Sequence, residues 1–336
     1  MSATSKSPKA VILMALQIAR RSLPAYSHRY SPKVFTQHQL FACLVLKNFL
    51  KTDYRGVVTL LSDTPSLAKV LELQRIPHFT TVQKASKRLL TEGRVRRLLD
   101  VAVKRRMGRR KRVARAAIDS TGLECTAASG YFVRRRTRAS EPWKKVVYHH
   151  YPKLGVICDT SDHFILAMRV GRGPRPDVDE FQPLLLEARR RVRLMSMMAD
   201  AGYDSEPNHR LARENCGTRT VIPAKHGRPT EKPARGKYRR LMQVRFDAQA
   251  YRCRSQVETV ISMIKRRQGS HVRGHTHHSQ CRDLRLLAIT HNIMILHIIR
   301  RFSTEPSRPL CSCVPFVPET APLCSSPLFP PKTSAN

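Results

Sequence analysis

Acidic residues are scarce in this sequence. Its 336 residues include 24 Asp and Glu against 62 Lys and Arg, so the formal net charge is +38. Such an excess indicates a polyanionic partner, with nucleic acid as the leading candidate. An anionic membrane surface is the alternative, but no basic amphipathic helix dominates the chain. The scarcity also makes every acid in an apolar setting informative.

The sequence has no paired cysteines and no long apolar run. None of the nine cysteines forms a C-x2-C pair, which excludes the usual zinc frameworks and fits a reducing compartment. Residues 10–16 and 286–299 are apolar but shorter than the roughly 20 residues of a membrane-spanning helix. We therefore expect an amphipathic helix at the first run, a buried helix at the second, and neither a signal peptide nor a membrane span.

What is present is enough apolar sequence for a folded core. Forty-one per cent of the residues are hydrophobic, which excludes full disorder and suits one large core and a smaller one. Residues 1–103 predict a small all-α domain, with helices over 37–49, 53–61, 65–73 and 82–90. The Thr80-Thr81 cap before the last of these resembles a helix-turn-helix, although plain packing in a helical bundle explains it as well.

Two segments have a biased composition. Residues 104–115 hold eight basic residues in twelve and predict a linker that contacts phosphate, because so dense a run repels itself without counter-charges. Residues 302–336 hold eight prolines and predict a disordered tail.

Residues 116–301 predict an α/β catalytic domain. Short apolar runs at 116–119, 146–151, 154–158 and 164–170 are typical of strands joined by tight turns. A helix over 177–190, a strand over 194–199, a helix from Ser205 to about Asn215 and a strand over 218–223 follow. The order of three strands, helix, strand, helix, strand and helix is that of an RNase H-like fold, with helices on both faces of a mixed sheet.

The most informative segment is Tyr251-x2-Arg254-x3-Glu258-x6-Lys265. In a continuous helix, these four side chains fall within roughly 60° of one another around the axis. Asp119 and Asp200 each end an apolar strand, where neighbouring strand ends of a mixed sheet converge. Three carboxylates meeting there can hold two metal ions for phosphoryl transfer. Taken alone, Asp119 and Asp200 are also explained as turn or cap residues. Glu258 alone is also explained as the partner of Arg254 in an ion pair at i,i+4 spacing.

The combination resembles the insertion-sequence DDE transposases of the Y-(2)-R-(3)-E-(6)-K signature branch. The resemblance rests on that signature, Ile118-Asp119-Ser-Thr and Asp200-Ala-Gly-Tyr-Asp204-Ser, and covers about residues 113–300. It implies an RNase H-like catalytic domain with Asp119, Asp200 and Glu258 as metal ligands for two Mg²⁺ ions, for which Mn²⁺ can substitute. It also implies that Arg254, Lys265 and Tyr251 contact DNA phosphates.

The implied activity is metal-dependent cleavage and strand transfer of element ends. The implied partners are double-stranded DNA at the terminal inverted repeats, target DNA and a second copy of the chain. The expected location is the cytoplasm, in association with the nucleoid. A related nuclease that only hydrolyses DNA and an inactive DNA-binding transposase remnant are the alternatives.

Other polar residues have simpler interpretations. We interpret Asp204 as a helix N-cap in preference to a supporting ligand. We interpret the acidic start of the 177–190 helix as structural. Basic clusters at 134–138, 189–193, 235–245 and 265–273 are ordinarily solvated, but around an acidic pocket they indicate a DNA channel.

Overall fold

The computed structural model describes residues 4–109, 111–125, 151–224 and 234–304, with side chains up to residue 296. The chain begins with six helices: α1 (Pro8–Ser22), α2 (Gln37–Phe49), α3 (Tyr54–Asp63), α4 (Pro65–Val70), α5 (Phe79–Leu89) and α6 (Glu92–Met107). The prediction of a helix over 37–49 is confirmed, and Thr36 caps it through a reciprocal bond with Gln39. The Thr cap predicted for α5 is wrong, because the helix begins earlier, at Phe79.

A five-stranded mixed sheet follows. Its strands are β1 (Arg112–Gly122), β3 (Tyr151–Asp159), β4 (Ile165–Gly173), β5 (Arg193–Met198) and β6 (Arg219–Val221), in the spatial order β4-β3-β1-β5-β6. The first three are antiparallel neighbours, whereas β5 runs parallel to β1 and β6 runs parallel to β5. This is the RNase H-like arrangement that the order of elements predicts. The short strands β2 (Glu124–Cys125) and β7 (His271–Val272) pair beside it.

Helices cover both faces of the sheet. They are α7 (Val178–Arg189), α8 (Glu206–Arg210), which continues as a π-helical turn (Leu211–Asn215), α9 (Lys237–Val244), α10 (Ala248–Tyr251), α11 (Ser255–Gln268) and α12 (His277–Thr304). Alternate residues of β1 enter different cores. Ala116 and Ile118 join the large core that also contains α1, α2, α6 and α7. Ala117 joins a smaller core with α11.

The structure corrects two predictions from the sequence. Residues 104–115 are not one linker, because α6 extends to Met107 and β1 starts at Arg112. Met107 and Val113 are buried in the large core, so both ends of the basic segment belong to regular elements.

The signature segment is also not one continuous helix. Tyr251 ends α10, a 3₁₀ turn covers Arg252–Arg254, and α11 starts only at Ser255. The tighter 3₁₀ winding changes the angles between signature side chains from those of a regular α-helix. Neither proline nor glycine occurs in this segment, so no residue type marks the change.

Some predictions concern residues outside the described ranges, among them most of the strand over 146–151, the cluster at 134–138 and the tail after residue 304. The helix predicted over 286–299 is confirmed within α12, which continues to Thr304, and its residues 286–296 are buried. Within the described residues, no helix is both long enough and apolar enough to cross a membrane.

Candidate active site

Parallel strand pairing brings the two aspartates together. Ala117 of β1 lies opposite Met198, the last residue of β5. Asp119 and Asp200 each follow two residues further along the chain. Because neighbouring strands are about 4.8 Å apart, the two aspartates are side by side at one edge of the sheet.

Asp119 is on the side of the sheet that α11 covers. Ala117 and Met198 belong to the small core together with Val257, Val260 and Ile264 of α11. Side chains two residues apart in a strand share a face, so Asp119 projects to the same side as Ala117. The apolar face of α11 thereby docks this helix beside the strand ends. Glu258, on its other face, is exposed.

Arg254 carries positive charge into this acidic group. Its Nη2 donates to Glu258 Oε1 at 2.6 Å, and its guanidinium lies 5.8 Å from the centre of the Tyr251 ring. Partial burial lowers the pKa of Arg254, but the hydrogen bond and charge of Glu258, with Tyr251 and Asp200, raise it overall. The 3₁₀ turn therefore places one guanidinium within the electrostatic reach of both Glu258 and Asp200.

Asp119 is the acid most affected by burial. Loss of solvent raises the pKa of its carboxyl to about 6, and the negative charges of Asp177 and Glu258 act in the same direction. The backbone N–H of Ser120, which donates to Asp119 Oδ1 at 2.7 Å, and the charge of Arg254 oppose this rise. Asp119, Glu258 and Arg254 thus form one electrostatic group, which Asp200 joins through its action on Arg254.

A second polar group, not predicted from the sequence, supports Asp119. Asp177 Oδ1 accepts from Ser120 Oγ at 2.6 Å and from Lys153 Nζ at 2.7 Å. Lys153 is 6% exposed and also donates to the Arg175 carbonyl at 2.8 Å. The interpretation of Asp177 as a helix-start residue is incomplete, because its side chain makes no capping bond to α7. The sequence signal was a lysine inside the apolar strand Tyr151–Asp159.

Two other sequence candidates lie apart from this group. Lys265 is seven residues beyond Glu258 in α11, about 10 Å along the helix axis. The side chain of Asp204 is fully buried, and its carboxylate binds His209 Nε2 at 3.2 Å and Arg239 Nε at 2.8 Å. The N-cap role predicted for Asp204 is wrong, because the Ser205 hydroxyl accepts the capping bond of α8.

The carboxylates do not form a closed metal cluster as their side chains are placed. Across 4–109, 111–125, 151–224 and 234–304, no three His, Cys, Asp or Glu side chains are arranged to hold a metal ion. Glu258 binds Arg254, and Asp200 Oδ1 accepts from the backbone N–H of Ala201 at 2.7 Å. The donor type nevertheless suits a hard divalent cation, which prefers carboxylate oxygens.

Comparisons with known proteins give two matches of different strength. No curated protein matches the chain significantly. A solved structure, described as "Crystal structure of a pre-cleavage Mos1 transpososome", is similar over 71% of this chain and 81% of that chain, with 11% identity and a TM-score of 0.19. The family described as "Transposase DDE domain" matches residues 114–293, a span that contains Asp119, Asp200 and Glu258. Since this span exceeds half of the 336 residues, the chain belongs to the Transposase DDE domain family.

Proposed function

We propose that this protein is a transposase of the Y-(2)-R-(3)-E-(6)-K branch that cuts and rejoins DNA at the ends of an insertion sequence. The observation that supports the proposal is the electrostatic group of Asp119 within β1, Asp200 just beyond β5 and Glu258 of α11 around Arg254. Phosphoryl transfer needs charge stabilisation and positioning more than covalent chemistry from the protein. A set of acids beside a guanidinium suits that requirement.

Asp119, Asp200 and Glu258 are proposed to hold two Mg²⁺ ions, for which Mn²⁺ can substitute. When bound, the ions would activate the attacking oxygen and stabilise the leaving oxygen. Glu258 could serve as a ligand through Oε2, since the guanidinium of Arg254 binds only its Oε1. Three acids close enough to influence one another are stabilised by added positive charge.

Arg254, Tyr251 and Lys265 are proposed to bind the phosphates beside the cleavage point. The planar guanidinium of Arg254 can contact a phosphate through two N–H groups, whereas Lys265 acts as a point charge. Arg254 already adjoins the acids, so exchanging Glu258 for a phosphate requires a movement of its side chain alone. Lys265, two turns along α11, would contact a more distant phosphate of the same strand.

The proposed partners are the terminal inverted repeats, target DNA and a second copy of the chain, in association with the nucleoid. The net charge of +38 supports binding to DNA. A water molecule would be the first nucleophile, and the freed 3′ hydroxyl would then attack the target. The chain's own residues would orient the strand end and screen its charge in both steps.

Asp119→Asn tests the proposal. With Mg²⁺ and a plasmid carrying the gene and its flanking DNA, the wild-type protein is expected to cut the element ends and join them to target DNA. Asp119→Asn is expected to lose at least about a hundredfold of the cleavage rate while binding the same DNA. Asp179→Asn is a matched control, because Asp179 is an exposed acid at the start of α7. Cleavage without joined product would indicate a nuclease, and a wild-type protein that never cuts would indicate an inactive remnant.

A further inference from the structure

A basic cleft continues from the active site along β1. It has a volume of about 1010 Å³ and is formed by the end of α6, the first half of β1, the turn between β3 and β4, and the signature turn. We define the basic cleft by the side chains whose charge matters to the argument, which are Arg109, Arg112 and Arg115, together with Cys253 and Gln256 at its border. The established match to a transposase family assigns no role to it.

The three arginines are exposed. The charge of Asp247 acts on Arg115, but Asp247 forms its ion pair with Arg219. Among the described residues, no carboxylate forms an ion pair with Arg109, Arg112 or Arg115, although Arg106 in the same cleft pairs with Asp159 and Asp162. Other arginines are neutralised by acids. Arg191, for example, pairs with both Asp100 and Glu187. Neighbouring like charges repel each other unless an anion offsets them. The composition of the cleft therefore calls for an anionic ligand from outside the chain.

The cleft is continuous with the proposed catalytic site. Arg115 Nη1 donates to the Sγ of Cys253 at 3.3 Å, which ties β1 to the turn that carries Arg254. Cys253 and Gln256 line the cleft, and Arg254, which lies between them in the chain, pairs with Glu258. A ligand that reaches both places must be a polyanion longer than one phosphate.

Strand geometry gives the spacing of the contacts. Asp119 lies four residues beyond Arg115 and seven beyond Arg112 on β1. At about 3.3 Å per residue, these separations are roughly 13 Å and 23 Å. A DNA strand advances about 3.4 Å per nucleotide along the duplex axis. A duplex lying along β1 would bring the phosphates about four to seven nucleotides from the cleavage point to these arginines.

We propose that the basic cleft binds the DNA backbone about four to seven nucleotides from the cleaved phosphate. This inference rests on the proposed function for the position of the cleaved phosphate, but not for the binding itself. The cleft holds the duplex in register while the acids act on one phosphate. Contacts between arginines and phosphates depend on charge and do not recognise bases. The cleft should therefore bind duplexes of any sequence.

The first test measures binding of a fluorescent random-sequence duplex at several salt concentrations, in EDTA so that metal-dependent chemistry plays no part. Each phosphate contact contributes about 0.9 to the slope of log affinity against log salt. Arg109→Ala/Arg112→Ala is expected to reduce the slope by about 1.8, and Arg115→Ala by about 0.9. Because these side chains are exposed, the variants should keep the wild-type unfolding transition, which is checked in parallel.

The matched control is Lys9→Ala/Arg21→Ala, which removes the same charge as the double cleft variant from exposed positions on α1. Equal slopes for the control and the cleft variants would overturn the proposal, even if the wild-type protein cuts DNA. A reduced slope for the cleft variants alone would support it, even if cleavage failed and the proposed function fell.

A second arm tests the spacing. Neutral methylphosphonates are placed about seven nucleotides from the cut, at the distance of Arg112, in a duplex with an element end. They should weaken binding by the wild-type protein and leave Arg109→Ala/Arg112→Ala unaffected. Equal weakening of both proteins would contradict the placement.

Discussion

At the scale of single residues, the buried contact between Lys153 and Asp177 supports the position of Asp119. Lys153→Met keeps the length of the side chain but removes the ammonium that binds Asp177 and the Arg175 carbonyl. We expect a loss of about 0.5–1.5 kcal/mol in the free energy of unfolding, because the Asp177 carboxylate and the Arg175 carbonyl lose a charged donor but remain partly exposed to water. Urea unfolding of the variant measures this loss.

A double-mutant cycle separates the contact from the general effect of substitution. Lys153→Met combined with Asp177→Asn should cost less than the sum of the single changes, by about 0.5–3 kcal/mol. Lys153→Met combined with Glu72→Gln is the additive control, because Glu72 pairs with Arg20 in the N-terminal helices. Additivity in both cycles would show that the Lys153–Asp177 contact contributes nothing of its own.

At this scale, residue type and spacing predict which acids act together, and the catalytic role of these acids stays a prediction. The signature and the two aspartates defined an acidic group that the fold assembles at one sheet edge. The roles of Asp177 and Asp204 were missed because each depends on a partner distant in the chain, namely Lys153 at 24 positions and Arg239 at 35 positions. Spacing along the sequence cannot reveal such pairs.

At the scale of elements, α12 is held to the sheet by two adjacent polar residues. Asn292 accepts from the Ile165 N–H at 2.9 Å and donates to the Ile165 carbonyl at 2.8 Å, so it completes the hydrogen bonding of edge strand β4. His291 Nε2 lies 2.9 Å from the His163 carbonyl. Burial lowers the pKa of His291 to about 4, and the charges of His163 and Arg267 add to this effect.

This packing predicts a loss of stability in acid. The unfolded chain binds a proton at His291 below a pKa of about 6.5, but the folded chain does so only near 4. The stabilisation is therefore complete above pH 6.5 and is lost as the pH falls towards 4, by up to about 3 kcal/mol. His291→Gln keeps a side-chain N–H but cannot be protonated, so the difference from wild type in urea unfolding should change across that range. A constant difference from pH 7 to pH 4.5 would contradict the account.

Element boundaries were predictable where local signals agree with packing. The capping box of α2 and the acidic start of α7 mark helices whose apolar faces are buried. The signature segment differs, because no residue type marks its 3₁₀ turn, which follows a ring contact between Tyr251 and Phe246 at 5.1 Å. The sequence of residues 104–115 likewise predicts a linker, because eight of its twelve residues are basic. Its two buried apolar residues, Met107 and Val113, are too few to indicate the helix end and the strand start.

At the scale of the whole molecule, the N-terminal helices and the sheet share one core. The large core includes residues of α1, α2, α5 and α6 as well as β4, α7 and α12. Hydrogen bonds also join the N-terminal region to the later helices. The Ser5 N–H donates to the Met294 carbonyl of α12 at 3.0 Å, and Lys51 Nζ donates to the Arg266 carbonyl of α11 at 2.7 Å. The sequence boundary at residue 103 therefore lies inside a continuous packed interior.

A chain that starts at Lys104 should for this reason fail to fold as the full chain does. It would expose Ile289, Ile293 and Met294 of α12, which are almost fully buried, and each such side chain is worth about 1.5–3 kcal/mol when buried. We expect one cooperative unfolding transition for the full chain, and for the fragment no matching transition together with strong binding of an apolar dye. The full-length variant Tyr30→Ser/Val34→Ser, which alters exposed apolar residues, should keep the wild-type midpoint. A fragment that unfolds cooperatively at the full-chain midpoint would show instead that the sheet and its helices are stable without the first six.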